Sequence, residues 1–247
     1  MKDLFSAQSK GYAQYRPAYP KLLYRHILAQ ASGRESAWDC ATGNGQAAIA
    51  LSPHFQQVYA TDLSAKQLAE ATPAPNVHYR QAPAEDSGLP DASIDLITVA
   101  QALHWFGFER FFGEARRVLR PGGLLAAWGY DLLRFDDAEL DAELRLFYQG
   151  ETAPYWDAAR SHIDDRYARI PFPFTLLPSP DFRIEISWTL ADLAGFLDTW
   201  SAVQTCICTT GRNPVAIFSK KLANRFPVEQ RWAGHFPVFL KMGHWGA

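Results

Sequence analysis

Cysteine is scarce in this chain, which has only 3 among its 247 residues. So small a number excludes the disulfide framework that holds small secreted domains together. Cys206 and Cys208 stand close together, but no second pair accompanies them. Two buried thiols are therefore favoured over a zinc site, and we predict no metal.

Long apolar runs and clusters of basic residues are missing as well. No run approaches the ~20 apolar residues that cross a bilayer, and the first residues lack the apolar core of a signal peptide. Lys and Arg total 24 against 26 Asp and Glu, with no basic block, whereas nucleic-acid phosphates require clustered positive charge. We therefore predict a cytoplasmic protein with no membrane span and no nucleic-acid partner.

The first half of the chain alternates apolar and amphipathic segments. Strands are predicted at SAWDCA, QVYATDL, NVHYRQA, SIDLITVAQA and LLAAWGY. Helices are predicted at residues 18–32, at Gln46–Ser52, after Ser64 with Gln67 completing a capping box, and at Phe108–Leu119. This alternation implies a parallel sheet with helices on both faces, and such sheets bind ligands at the carboxyl ends of their strands.

The second half of the chain, after Tyr130, loses this alternation and becomes rich in aromatic residues. DDAELDAELRLFYQ is predicted to be helical, FRIEISW a strand, TLADLAGFLDTWSAVQ one continuous helix and HFPVFLKMGHW the last strand. We expect the late helices to form a cover over the edge of the sheet.

A glycine-rich loop, within WDCATGNGQAA, follows the first strand directly. Gly43 and Gly45 fit the G-x-G-x-x-A pattern of dinucleotide-binding loops, and Asp62 ends the second strand where that pattern has an acid. A nicotinamide-dependent oxidoreductase is therefore one candidate. Asp39, however, stands just ahead of the loop, where a carboxylate repels a pyrophosphate and attracts a cationic or zwitterionic ligand.

The same residues resemble the motifs of class I S-adenosylmethionine-dependent methyltransferases. The stretch from Asp39 to Gly45 resembles the family's first motif, with Ala41 in place of its first glycine, and Asp62 matches its ribose-binding acid. AEDSGLPDASIDLI and RVLRPGG resemble two later segments of the family. Over most of the chain, YAQYRPAYP, AQALHWF and TWSAVQ resemble a narrower subgroup, the trans-aconitate methyltransferase-like proteins of methyltransferase type 11.

This resemblance implies a Rossmann-like, doubly wound α/β fold. The sheet would have seven strands, mostly parallel with the last antiparallel, and a helical cover would be inserted late in the chain. Residues 1–36 would form an N-terminal lid segment and the first helix. Residues 37–130 would form the S-adenosylmethionine-binding core, and residues 131–247 the cover with the last strands.

The resemblance also implies which residues hold S-adenosylmethionine. The backbone around Thr42 would approach its methionine part, Asp39 would accept from its ammonium group, and Asp62 would accept from both ribose hydroxyls. The full predicted set is Asp39, Ala41, Thr42, Gly43, Gly45, Asp62, Leu63, Ala84, Glu85, Gln101, Tyr12 and Arg16.

The residues that bind the methyl acceptor are the ones that the sequence indicates least clearly. Pocket walls are predicted at Trp105, Tyr155, Trp156 and Trp200, and Arg160 is a candidate partner for a carboxylate. We expect methyl transfer to a small molecule, with a carboxylic acid as one candidate class, by in-line displacement that depends on alignment and exclusion of water. The protein is expected to act as a monomer or homodimer.

His104 is the candidate catalytic residue, since histidine titrates near neutral pH. A carboxylate acceptor is already ionised and needs no base, whereas a quinone or phenol methyltransferase would use His104 as one. A non-catalytic protein that keeps the cofactor pocket is an alternative from another class.

Overall fold

The computed structural model describes Tyr15 and residues 17–246. The strands are β1 (Ser36–Cys40), β2 (Gln57–Asp62), β3 (Val77–Gln81), β4 (Ile94–Ala100), β5 (Leu119–Tyr130), β6 (Arg134–Phe135), β7 (Thr175–Leu176), β8 (Phe182–Trp188) and β9 (Trp232–His244). The helices are α1 (Lys21–Gln30), α2 (Gln46–Leu51), α3 (Ala65–Ala69), α4 (Phe108–Val118), α5 (Ala138–Leu146), α6 (Ser161–Asp164), α7 (Leu190–Asp198), α8 (Ser201–Thr210) and α9 (Pro214–Ala223).

All described strands join one sheet, whose central order is β3-β2-β1-β4-β5-β9-β6. Strands β1 to β5 are parallel, and β9 runs antiparallel to β5. The predicted Rossmann-like arrangement, mostly parallel with an antiparallel last strand, is thereby confirmed. The strand order reverses between β1 and β4, so the crevice at their carboxyl ends is where such folds place a ligand.

The late edge of the sheet has more strands than predicted. The seven predicted strands are all present, and the two-residue strands β6 and β7 bring the described total to nine. Both form because β9 is 13 residues long. Its first half pairs with β6 and β8, and its second half pairs with β5 and β7.

The sheet is buried on both faces, as its apolar strands require. On one face α1 contributes Leu23 and Ile27, which pack in the same core as Trp128 and the cover helices. On the other face α4 contributes Phe111, which packs with Trp38. Among the described residues, we find no helix with the length and apolar character to cross a membrane.

Two local predictions differ from the structure. The predicted continuous helix TLADLAGFLDTWSAVQ is two helices, because α7 ends at Asp198 and Trp200 adopts an extended conformation with ψ 133° before α8 begins. The capping box at Ser64 is half formed. The backbone N–H of Gln67 donates to Ser64 Oγ, whereas the buried Gln67 Oε1 has no partner among the described residues.

Candidate functional site

The glycine loop joins β1 to α2 through a strongly curved backbone. Ala41, Gly43 and Gly45 all have positive φ, at 56°, 59° and 86°. A Cβ on Gly45 would overlap the Tyr79 hydroxyl, so a larger residue there would have to displace Tyr79 and adopt a positive φ that favours glycine. Ala41 is a non-glycine residue in the left-handed region, at a cost of about 1 kcal/mol. The loop therefore holds a conformation that opens its backbone toward the carboxyl end of the sheet.

The Asp62 carboxylate ties this loop to the end of β2. Its Oδ2 accepts from the backbone N–H of Gly43 at 2.8 Å, and its Oδ1 accepts from the backbone N–H of Ser64 at 2.8 Å. A carboxylate oxygen has two lone pairs and can accept more than one hydrogen bond. The predicted acid therefore stands half-buried at the loop.

Asp39 supports the loop from beneath it. The residue is 1% exposed, and its carboxylate accepts from the hydroxyls of Thr42 and Thr98. It lines neither of the two cavities described below. The predicted contact of Asp39 with a ligand ammonium group, direct or through water, stays a prediction, and in this arrangement the hydroxyls of Thr42 and Thr98 already occupy part of the carboxylate.

Burial also changes the acidity of Asp39. It raises the pKa to about 6 from 3.8, against the hydrogen bonds that lower it, and the charge of Asp62 raises it further. Between pH 3.8 and about 6 the folded protein retains a proton that the unfolded chain has released. Ionisation of Asp39 therefore lowers the free energy of unfolding as the pH rises from 3.8 to about 6.

Replacing Asp39 with asparagine is expected to remove this pH dependence. Two pKa units correspond to roughly 3 kcal/mol. The unfolding free energy of Asp39→Asn, relative to the native protein, should therefore rise by up to about 3 kcal/mol between pH 4 and pH 7. Urea unfolding at both pH values measures this change, with the exposed Asp136→Asn as control. If the difference in unfolding free energy between Asp39→Asn and the native protein is the same at both pH values, the raised pKa of Asp39 is contradicted.

The loop borders a cavity of about 610 Å³, which we call the loop cavity. Its wall includes three of the predicted cofactor-binding residues from the loop, Ala41, Thr42 and Gly43, with Gln101 from the end of β4. The remaining lining residues are Pro17, Tyr19, Asn44, Gln46, Ala47, Ala100 and Tyr130.

Among the described residues, six predicted cofactor contacts do not line this cavity: Asp39, Gly45, Asp62, Leu63, Ala84 and Glu85. Leu63 and Glu85 follow β2 and β3 at the same sheet edge, and Glu85 Oε1 accepts from the backbone N–H of Gly107 at 2.9 Å. Ala84 is buried beside Glu85. None of the three lines the loop cavity. Tyr12 and Arg16 lie outside the described residues.

A second cavity, of about 650 Å³, lies between the sheet edge and the cover, and we call it the cover cavity. It brings together five predicted residues: His104, Trp105, Trp156, Arg160 and Trp200. Gln101, predicted as a cofactor contact, lines it as well. Sequence reasoning missed the remaining lining residues, which are Tyr130, Asp131, Leu132, Leu133, Asp157, Phe196, Ser201 and Phe236. Tyr130 ends the predicted fifth strand and residues 131–133 directly follow it, so their position was a usable signal.

Arg160 is held from one side only. Its Nε donates to the Tyr148 hydroxyl at 3.1 Å and lies 3.5 Å from Asp164 Oδ1, and its guanidinium stacks over Trp156 at 4.8 Å. Its two terminal nitrogens donate no hydrogen bond to any described residue. A guanidinium held in this way can bind a carboxylate through a two-point fork.

His104 is a buried, neutral imidazole. It is 8% exposed, and its Nδ1 has no partner in the described part of the chain. Burial lowers its pKa to about 3 from 6.5, and the charges of Arg160 and His162 lower it further. A group that releases its proton so readily is a weak base at neutral pH.

Tyr155 faces away from the cover cavity. It lines a separate cavity with Cys206, Arg212 and Ile217. Tyr155 ends a short 3₁₀ turn, Ala153–Tyr155, and the extended backbone at Trp156 places only Trp156 in the lining of the cover cavity. The predicted contact of Tyr155 with the acceptor stays a prediction, which the lining of the cover cavity does not support.

Comparison with known proteins places this site in a family. A model described as a methyltransferase domain matches residues 38–127. A proposed methyltransferase of Dictyostelium discoideum is 36% identical over 83% of this chain and 79% of its own length. The methyltransferase tpcM of Aspergillus fumigatus is 31% identical over 100% of this chain and 83% of its own length.

A solved structure is similar to this chain over nearly its whole length. A proposed type II methyltransferase from Anaeromyxobacter dehalogenans has 39% identity and a TM-score of 0.84, covering 93% of this chain and 98% of its own. The chain therefore belongs to the class I S-adenosylmethionine-dependent methyltransferases. This family favours S-adenosylmethionine over the dinucleotide of the oxidoreductase alternative. Membership in the trans-aconitate subgroup stays a prediction.

Proposed function

We propose that this methyltransferase acts on a carboxylate of a small, largely apolar molecule bound in the cover cavity. The observation that carries the proposal is Arg160, whose two terminal nitrogens donate no hydrogen bond to a described residue and which lines a cavity walled by aromatic rings. A carboxylate would satisfy that fork, and the rings of Trp105, Trp156 and Trp200 would cover the apolar part of the acceptor.

The loop cavity fits S-adenosylmethionine on two grounds. The positive φ values expose backbone that a side chain would otherwise cover, and the Asp62 carboxylate, which accepts from the backbone N–H of Gly43, stands at the end of β2 beside that backbone. We infer that Thr42, Gly43 and Gly45 hold the methionine part and that Asp62 holds the ribose. Leu63, Ala84 and Glu85 would contact adenine at the adjoining sheet edge.

The two cavities share Gln101 and Tyr130 as lining residues. An acceptor carboxylate fixed by Arg160 would therefore lie on the far side of this common border from the glycine loop. The cofactor supplies an electrophilic methyl group on a sulfonium. The contribution of the chain is to orient the acceptor and exclude water, and alignment of this kind supplies roughly 7–11 kcal/mol.

The acidity of His104 separates this proposal from a phenol or quinone methyltransferase. A carboxylate is ionised near neutral pH, and a histidine with a pKa of about 3 does not titrate there. We therefore expect kcat to be flat from about pH 6 to pH 8, and His104→Asn to keep at least about a tenth of the native kcat. A profile that rises with a pKa near 6.5, lost in the variant, would instead support a base.

A methyl-transfer assay tests the proposed function. The protein is incubated with S-adenosylmethionine carrying a labelled methyl group and a panel of aromatic and aliphatic carboxylic acids, phenols and quinones. We expect label in products of carboxylic acids that release methanol in alkali, as methyl esters do. Alkali-stable label on a phenol or quinone would overturn the proposed acceptor. Binding of S-adenosylhomocysteine without any transfer would support the non-catalytic alternative.

A further inference from the structure

Gln101 has an unusual backbone conformation at the end of β4. Its φ is 55°, in the left-handed region that residues other than glycine rarely adopt. Its backbone N–H donates to the Trp128 carbonyl at 2.8 Å, which continues the pairing of β4 with β5 by one residue. The strained conformation persists only where surrounding contacts hold it, and such residues concentrate at functional sites.

The side chain of Gln101 supplies those contacts. Its Oε1 accepts from the backbone N–H of Tyr130 at 2.9 Å, and its Nε2 lies 3.5 Å from the Tyr130 carbonyl oxygen. The side-chain amide therefore stands where the next peptide of β4 would stand if the strand continued. Both ends of the amide face the Tyr130 backbone.

Gly129 makes room for this arrangement. A Cβ at position 129 would lie 2.7 Å from Gln101 Oε1 and 2.6 Å from the ring of Phe239. Both distances are shorter than a Cβ tolerates, so a larger residue would displace the amide or the ring. Gly129 lies between Trp128 and Tyr130, the two residues that Gln101 contacts. All of these hydrogen bonds of Gln101 are therefore made to residues 128–130 of β5.

The contact lies at the common border of the two cavities. Gln101 and Tyr130 line both the loop cavity and the cover cavity. The Tyr130 ring is 5% exposed and packs edge-on against Phe236 at 5.1 Å. Fixing the Tyr130 backbone therefore fixes a wall that both bound molecules would touch.

We propose that Gln101 is a positioning residue, which holds Tyr130 through its side-chain amide and so sets the alignment between the loop cavity and the cover cavity. This inference rests on the proposed function for its effect on turnover. It is an alternative to the predicted role of Gln101 as a direct cofactor contact, since the side-chain amide is engaged with Tyr130. Loss of the amide should misalign the reacting groups and leave the binding surface for the adenosine and methionine parts in place.

Amide hydrogen exchange tests the contact without any acceptor. Gln101→Met keeps the length of the side chain but removes its amide, and Gly129→Ala pushes the amide away. We expect the Tyr130 amide to exchange at least about fivefold faster in each variant, because it loses a hydrogen bond. Gln56→Met, on an exposed glutamine, and Gly113→Ala, where a Cβ meets nothing within 4 Å, are the matched controls. An unchanged Tyr130 exchange rate in Gln101→Met would overturn the contact.

Turnover and binding then test the positioning role. In Gln101→Met and in Gly129→Ala we expect kcat to fall at least about tenfold, while the Kd for S-adenosylhomocysteine stays within about twofold. The double variant should be no slower than the slower single variant, since both substitutions remove one contact. A Kd that rises in step with the loss of kcat, or losses that multiply in the double variant, would overturn the proposal in favour of a direct cofactor contact or a general structural role.

The hydrogen-exchange experiment and the turnover experiment together distinguish failure of this inference from failure of the proposed function. If alkali-labile products are absent but a phenol is methylated, the proposed acceptor fails and the same kcat comparison is made with the phenol. If no acceptor on the panel is methylated, the exchange rates still decide whether Gln101 fixes Tyr130. Melting temperatures of all variants identify any substitution that simply unfolds the protein.

Discussion

Asp62→Ala is expected to weaken binding of S-adenosylhomocysteine at least about 100-fold, which corresponds to roughly 2.7 kcal/mol. The carboxylate is inferred to accept two ribose hydroxyls, and hydrogen bonds to a charged group are worth about 1.5–3 kcal/mol each. It also holds the backbone N–H of Gly43, so its removal frees the loop as well. Titration calorimetry measures the Kd directly.

Two further variants show which of these effects dominates. Asp62→Asn keeps one acceptor oxygen but presents an NH₂ group to the other donors, so we expect an intermediate Kd. Asp136→Ala removes an exposed aspartate from the start of the cover region and should leave the Kd unchanged. Native-like affinity in Asp62→Ala would show that the ribose is held elsewhere.

Arg160→Ala is expected to lower kcat/KM for a carboxylic acid acceptor at least about 100-fold, with an unchanged Kd for S-adenosylhomocysteine. Arg160 lines the cover cavity with terminal nitrogens that donate no hydrogen bond to a described residue, and losing a two-point charged contact costs about 3 kcal/mol or more. Steady-state kinetics with the best acid of the panel measure the change.

Arg160→Lys provides the sharper comparison. Lysine keeps the positive charge but not the planar fork, so we expect it to recover only part of the lost kcat/KM. Arg183→Ala, which removes an exposed arginine on β8, is the matched control for lost positive charge. Equal kcat/KM in Arg160→Ala and the native protein would show that the acceptor does not use this cation.

The parallel half of the fold was predictable because its sequence signals are local and strong. The near-continuous apolar run of β4 reflects burial on both faces, and the alternation through Tyr130 fixes the parallel order. The division at Trp200 was not predictable. The apolar periodicity of a single helix continues through it, and the break coincides with the packing of Trp200 against Trp156 and Phe196.

The sequence predicted where the candidate site lies in the fold better than it predicted which way individual side chains point. The glycine spacing correctly located the loop, and Asp62 stands beside it. For Asp39 the sequence could not show that Thr98, from a neighbouring strand, would occupy its carboxylate. Tyr155 and Trp156 are adjacent in sequence yet line different cavities, which depends on the local turn geometry. The contact of Gln101 with Tyr130 depends on the pairing of β4 with β5 and left no local signal.

The most direct test of the account is a crystal structure of the protein with S-adenosylhomocysteine bound. We expect the ligand in the loop cavity, with both ribose hydroxyls within hydrogen-bonding distance of Asp62 and its sulfur at the border formed by Gln101 and Tyr130. That result would support transfer into the cover cavity toward Arg160. A ligand bound elsewhere, or one whose sulfur faces away from this border, would contradict the proposed site.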